Sequence, residues 1–129
     1  MRDIAYLNIR IAHQVKGCAE GLLPYMYAEN MLKNTLVLAP PGQGKTTILR
    51  DMVRLVSDGN IKARGQSVAV VDERSEIAGC SQGVAGYDLG IRTDVLDGCP
   101  KTEGILMVVR SMAPDVIAVD EIAGEEDQK

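Results

Sequence analysis

The hydrophobic positions along the chain predict an alternation of strands and helices. Short apolar runs that are rich in Val or Leu and bounded by polar residues, Gly or Pro are typical of buried strands. Such runs lie at 35–39, 67–71 and 116–119. Apolar side chains at every second position predict a further, half-buried strand over residues 4–12. Because helical segments separate these strands, the sequence predicts an α/β fold with a mostly parallel sheet and flanking helices.

Two segments predict the helices of this fold. Residues 46–57 carry apolar side chains at intervals of three and four, which indicates an amphipathic helix. On this helix we expect Arg50, Asp51 and Arg54 to lie on the polar face, away from the core. A second helix is expected over residues 100–112, with Gly104 as a weak point because glycine disfavours helices.

The remaining segments show less regular patterns. Residues 18–33 predict a short helix or turn, and five glycines make 79–98 a loop-rich stretch. We therefore divide the chain into an N-terminal lead-in at 1–34 and a core domain at 35–129.

Composition excludes several classes of protein. The chain has 129 residues, of which 46% are hydrophobic and 25% charged, the profile of one globular domain. Fourteen basic and 18 acidic side chains give a net charge of −4, and only 3% of residues are aromatic, so we expect no nucleic-acid partner. The three cysteines and one histidine lack the spacing of a zinc site or a closed disulfide set. No apolar run reaches the roughly 18 residues of a membrane span, so we expect a cytoplasmic protein without membrane insertion.

A glycine-rich segment stands between the first core strand and the first predicted helix. Residues 39–46 read A-P-P-G-Q-G-K-T and match the P-loop pattern G-x-x-x-x-G-K-[ST], except that Ala39 replaces the first glycine. In a P-loop, backbone N–H groups surround the phosphates, the lysine contacts the β- and γ-phosphates and the hydroxyl binds Mg²⁺. The sequence therefore predicts a P-loop fold that binds ATP and Mg²⁺. The residues assigned to the nucleotide are Pro41, Gly42, Gln43, Gly44, Lys45, Thr46 and Thr47.

Acidic residues follow two of the predicted strands. Asp120 follows the last strand, where it and Thr46 would hold Mg²⁺, and Glu121 would accept a proton from the attacking water or orient it. The carboxyl ends of parallel strands face one crevice, so acids after the strand at 67–71 would assist in catalysis. These acids are Asp72, Glu73 and Glu76. An ordinary polar loop is the alternative for this second group.

Three other functions compete with ATP hydrolysis. A GTP switch would carry D-x-x-G and N-K-x-D, and neither pattern occurs in the chain. A small-molecule kinase would use the same phosphate loop, but a glutamate directly after Asp120 favours hydrolysis. A non-catalytic module that binds nucleotide only to organise an assembly stays open.

Four segments resemble the stage III sporulation protein AA family. They read P-P-G-Q-G-K-T-T-I-L-R-D, V-D-E-R-S-E-I-A-G, G-I-R-T-D-V-L-D-G-C-P-K and S-M-A-P-D-V-I-A-V-D-E-I. The resemblance covers nearly all of residues 5–127 and implies an AAA+-class ATPase related to the type II/IV secretion ATPases. It implies a cytoplasmic homo-oligomeric ring, with a hexamer as one candidate size. That ring would work with other stage III sporulation membrane proteins on the mother-cell side to energise a secretion-like channel into the forespore.

The resemblance also assigns residues. Asp72, Glu73 and Glu76 fall on the Asp box of the secretion ATPases, and Glu121 falls on the glutamate of their second phosphate-binding motif. Those ATPases commonly carry an arginine shortly after that glutamate, whereas this chain has Ala123 and Gly124 there.

The family continues beyond the end of this chain, which predicts an incomplete core. In the P-loop subclass with a glutamate after the aspartate, a later strand lies between the P-loop strand and the aspartate strand. We therefore expect a gap in the sheet beside residues 35–39, and weak or absent ATPase activity in this chain alone.

Overall fold

A three-stranded parallel sheet forms the centre of the protein. The computed structural model describes residues 14–40, 42–79 and 86–120. In these residues the sheet has the strand order β4–β3–β5. The strands are β3 (Val68–Asp72), β4 (Thr93–Asp97) and β5 (Val116–Val119). This architecture confirms the predicted α/β class with a parallel sheet.

The central strand β3 is buried on both faces of the sheet. Val68 and Val70 pack into the cluster that contains α2 (Lys45–Asp58), whereas Ala69 and Val71 pack with Val108 of α3 (Lys101–Ser111). Successive side chains of a strand point to opposite faces, so a strand covered on both faces reads as an unbroken apolar run. The run at 67–71 was predicted from this property, and β3 confirms it.

Both predicted helices are present, with ends close to those expected. Helix α2 begins at Lys45 and ends at Asp58, followed by Gly59 at a φ of 93°. The expectation for Arg50 and Asp51 was wrong, because both are buried, with exposed fractions of 3% and 2%. Other segments of the chain cover this face of α2, and an amphipathic pattern does not reveal them. In the described residues, no helix combines the length and apolar character that a membrane span requires.

The lead-in forms short elements beside α2. A 3₁₀ turn at Glu20–Leu22 runs into α1 (Leu23–Met26), and β1 (Tyr27–Ala28) then pairs with β2 (Met31–Leu32). This agrees in part with the predicted short helix or turn. The strand predicted over residues 4–12 lies outside the described residues.

The prediction of a buried strand at 35–39 was wrong. These residues have no regular secondary structure, and Leu36 and Leu38 are 65% and 82% exposed. Val37 alone of these three side chains packs against the core. An apolar run becomes a strand only when a neighbouring strand satisfies its backbone groups, and in the described residues none pairs with this one. The segment therefore enters the glycine-rich turn from outside the sheet.

The glycine-rich pattern at 79–98 predicts loops and does not reveal strand β4. The sequence of this strand, T-D-V-L-D, contains two acids and is followed directly by Gly98. Asp94 and Asp97 are tolerated because β4 lies at an edge of the sheet, where these side chains stay exposed. Parallel pairing with β3 supplies the backbone hydrogen bonds that the apolar pattern did not reveal.

Candidate functional site

Two glycines shape the turn that leads into α2. Gly42 and Gly44 have φ values of 80° and 81°, in the left-handed region that side chains disfavour. A Cβ added at either glycine would meet no atom within 4 Å, so the backbone turn and not crowding calls for glycine. Gln43 between them is exposed, and Pro41 lies outside the described residues. Both positions thus need the left-handed backbone conformation that glycine adopts readily.

The first turn of α2 carries the cationic and hydroxyl side chains of the predicted site. Gly44 is the N-cap and its carbonyl accepts a hydrogen bond from the N–H of Ile48 at 3.0 Å. Gly44 has no side chain that could accept hydrogen bonds from the other N–H groups of the first turn, so these groups can bind another acceptor. Lys45, Thr46 and Thr47 follow in order and are half-buried. A helix start of this kind attracts anions through its N–H groups and its dipole.

Asp72 closes the loop that follows β3. Its side chain is fully buried, and its two carboxylate oxygens accept hydrogen bonds from three consecutive backbone N–H groups. The donors are Glu76 at 3.0 Å, Ile77 at 3.2 Å and Ala78 at 2.9 Å. These bonds give the Asp72 carboxylate a structural role in the loop, which hereafter is called the acidic loop (residues 73–78).

The side chains of the acidic loop are not equivalent. Glu73 and Glu76 are exposed, whereas Ile77 and Ala78 are buried. The hydroxyl of Ser75 donates to Oδ1 of Asp97 at 2.6 Å, which ties the loop to the end of β4. The two glutamates are therefore presented to solvent from an anchored backbone.

Arg50 connects the acidic loop to α2. Its Nε donates to the carbonyl oxygen of Ile77 and its Nη2 to that of Glu76, each at 2.7 Å. Its guanidinium carbon lies 3.9 Å from the centre of the Tyr87 ring, a cation–π distance. The amphipathic pattern missed this residue, and no spacing in the sequence indicates it.

Asp51, on the next position of α2, holds the lead-in. Its Oδ2 accepts from the N–H groups of Gly17 at 3.1 Å and Ala19 at 2.9 Å, and its Oδ1 accepts from Nε of Arg54 at 2.9 Å. Burial acts to raise the pKa of the Asp51 carboxyl. The hydrogen bonds from Ala19, Arg54 and Gly17 outweigh it, so this pKa lies below its ordinary value. The charged carboxylate thus fastens the lead-in to α2.

The carboxyl ends of β3 and β5 lie side by side. The register pairs Val71 with Val119, so Asp72 and Asp120 each follow the last pair at the same edge of the sheet. The sequence predicted this juxtaposition from two apolar runs that end in acids. Glu121, the candidate for activating water, lies outside the described residues.

Two other arginines of the described residues are placed by α2 and α3. Arg92 donates from Nη1 to the carbonyl of Ser57 at 3.1 Å, at the C-terminal end of α2. Arg110 is exposed near the C-terminal end of α3. Arg92 therefore lies at the end of α2 that is opposite the glycine turn.

Comparisons with known proteins give a consistent relationship. The chain matches the family described as "Sporulation stage III, protein AA" over residues 1–129. It is 54% identical to stage III sporulation protein AA of Bacillus subtilis over 127 residues, which are 98% of this chain and 41% of that protein. It is 28% identical over 120 residues to the protein SEEDLING PLASTID DEVELOPMENT 1 of Arabidopsis thaliana, covering 92% of this chain and 16% of that protein. No solved structure matches the chain significantly.

Proposed function

The chain belongs to the sporulation stage III protein AA family, and on this premise we propose that it is an ATP-binding and ATP-hydrolysing motor domain. Family membership supports a role in sporulation. Within that role, hydrolysis would energise a secretion-like channel between mother cell and forespore. The protein would act from the cytoplasm as a homo-oligomeric ring that contacts other stage III sporulation membrane proteins. The chain spans less than half the length of either curated relative that it matches, so the activity belongs to a longer protein in this proposal.

The observation that carries the proposal is the turn before α2. Gly44, at a φ of 81°, leads directly into Lys45, the first residue of a 14-residue helix. Backbone N–H groups at such a turn and helix start bind phosphate, and a lysine at the first position adds a positive charge. The open space beside both glycines, where a Cβ would meet no atom within 4 Å, supports this role because it leaves room for a ligand to approach the backbone.

The side chains divide the work on ATP and Mg²⁺. Lys45 would bind the β- and γ-phosphates, and Thr47 would reach the α-phosphate. The Thr46 hydroxyl and the Asp120 carboxylate would hold Mg²⁺, a hard cation that prefers oxygen ligands. When bound, Mg²⁺ neutralises charge that develops on the transferred phosphoryl group.

In this proposal the acidic side chains that follow β5 and β3 activate the attacking water. Glu121 directly follows Asp120, and its carboxylate would accept a proton from the attacking water or orient it. Glu73 and Glu76 would assist from the acidic loop, since β3 and β5 are neighbours whose carboxyl ends share one edge.

One observation favours a second function. Residues 35–39 enter the glycine turn from outside the sheet, whereas a P-loop that supports hydrolysis is fixed by a strand before it. In this arrangement the chain would bind nucleotide to organise an assembly without turning it over.

Measuring the products formed from ATP separates these functions. The chain is compared with a chimaera in which it replaces the matching residues of the Bacillus subtilis relative. ADP and phosphate released without any added acceptor support hydrolysis, and ADP released only with a small-molecule acceptor supports a kinase. ATP binding without ADP release in either protein supports the assembly module.

A further inference from the structure

The acidic loop is held through both polar sides of its backbone. Asp72, at the end of β3, accepts from the N–H groups of Glu76, Ile77 and Ala78. Arg50, on α2, donates to the carbonyl oxygens of Glu76 and Ile77. The backbone N–H groups of this segment are therefore bound by a residue of the sheet, and its backbone carbonyl groups are bound by a residue of α2.

Arg50 is built into its position. It is 3% exposed, and the Tyr87 ring covers its guanidinium at 3.9 Å. The ring in turn lies so close to Gly79 that a Cβ there would be 2.5 Å from Cε2 of Tyr87. The N–H groups of Gly86 and Tyr87 donate to the carbonyl of Ala78 at 2.9 and 3.1 Å, which fixes the ring beside the loop.

Arg54, the next arginine on the same helix, has different hydrogen-bond partners. Arg54 lies one turn further along α2 and donates to Asp51, which binds the lead-in. Arg50 and Arg54 are therefore matched cations on one helix: Arg50 donates to the acidic loop, whereas Arg54 donates to Asp51. Arg50 follows Lys45 by five residues, about 7.5 Å along the helix axis.

We propose that Arg50 is a positioning residue that couples the acidic loop to the phosphate-binding end of α2, holding Glu73 and Glu76 in place relative to bound nucleotide. The guanidinium suits this task because its rigid fork donates to two carbonyls at once, which a lysine ammonium does not reproduce. The inference rests on the proposed function for the identity of the ligand, but its geometric part does not depend on nucleotide.

The geometric part is tested by amide hydrogen exchange of the chain without nucleotide. Arg50→Lys should speed exchange of the Glu76, Ile77 and Ala78 amides by at least about tenfold, since two charge-assisted bonds that oppose local opening are weakened. Exchange in β3 should stay within about twofold of wild type. The matched control, Arg54→Lys, should leave the acidic loop unchanged. Equal exchange of the loop in Arg50→Lys and wild type would overturn the proposal.

The coupling is tested by repeating the exchange with saturating ATP and Mg²⁺. In the wild type, nucleotide should slow exchange of the acidic loop; in Arg50→Lys this slowing should be lost while the dissociation constant for ATP changes by less than about threefold. A residue that only stabilised the fold would change affinity and protection together. Protection that persists in Arg50→Lys, or ATP binding that never protects the wild-type loop, would contradict the coupling.

A second variant guards against a failure of Arg50→Lys to fold. Tyr87→Leu keeps Arg50 but removes the aromatic face that covers its guanidinium. In this variant nucleotide should slow exchange of the acidic loop less than in the wild type, though the effect should be smaller than in Arg50→Lys. Tyr87→Phe keeps the ring and is the control. A Tyr87→Leu loop that stays protected by nucleotide would also overturn the proposal. If the wild type binds no ATP, the proposed function fails, while the result of the nucleotide-free exchange still decides the structural role of Arg50.

Discussion

Gly104 of α3 lies directly against Val71 of β3. A Cβ at Gly104 would be 2.6 Å from Cγ1 of Val71 and 3.3 Å from Cδ2 of Leu96, so the helix and the sheet approach here as closely as glycine permits. Glycine at this point, which appears as a weak point in the helix pattern, is a packing requirement of the fold.

Gly104→Ala should therefore destabilise the chain. Alanine improves helix propensity by about 1 kcal/mol, but the clash with a buried strand costs about 1–3 kcal/mol, so we expect a net loss. Urea unfolding measures it, with Gly21→Ala as the control, because a Cβ at Gly21 meets nothing within 4 Å. A stabilised Gly104→Ala variant would show that the helix can move away from the sheet.

The elements that could be predicted from sequence are those whose pattern of apolar and polar residues shows which of their faces are covered. Strand β3 is apolar because both faces are covered, and α2 is amphipathic because its apolar face meets the sheet. By contrast, β4 and the exposed run at 35–39 depend on which strand lies beside them. That pairing is a tertiary property that no local pattern carries.

The candidate site divides in the same way. The glycine turn before Lys45 and the neighbouring ends of β3 and β5 follow from motif and strand order. The burial of Arg50 could not be predicted, because its partners are backbone carbonyls 26 and 27 residues away. Every residue carries a backbone carbonyl, so nothing in the sequence around Glu76 and Ile77 indicates that these two carbonyls bind an arginine.

Asp51→Asn should weaken the fold in a pH-dependent manner. The pKa of Asp51 in the folded state lies below the ordinary value of 3.8, so its charge contributes stability above that value and loses it as pH falls through the folded pKa. We expect a loss of about 2–4 kcal/mol at pH 7 that shrinks below about pH 4. Unfolding free energies of wild type and variant from pH 7 to pH 3 test this. The exposed Asp94→Asn serves as control, and a loss independent of pH would contradict the assignment.

Glu121→Gln should separate binding from chemistry. The amide keeps the size of the side chain but cannot accept a proton from water, so we expect near-normal ATP binding and hydrolysis lowered by about 100-fold or more in the chimaera. Steady-state phosphate release measures the effect, with Glu103→Gln on the exposed side of α3 as control. Turnover at the wild-type rate would assign water activation to another group.

The chain alone should be marginally stable and nearly inactive. Leu36 and Leu38 are exposed in an apolar segment that no strand covers in the described residues, which favours self-association. We expect concentration-dependent oligomers, a low unfolding temperature and ATP turnover close to background, whereas the chimaera should be monodisperse and active. Light scattering, thermal unfolding and phosphate release compare the two. A monodisperse, cooperatively unfolding chain with robust turnover would contradict this expectation.

The most direct test of the proposed nucleotide site is a titration with a fluorescent ATP analogue in the presence of Mg²⁺. Lys45→Ala removes the positive charge at the start of α2. Lys62→Ala is the control, because it removes a positive charge from the loop that follows the C-terminal end of α2. Loss of a charge-assisted phosphate contact should weaken binding by roughly tenfold to a hundredfold in Lys45→Ala, and Lys62→Ala should bind like wild type. Unchanged affinity in Lys45→Ala would contradict the assignment of this turn as the phosphate site.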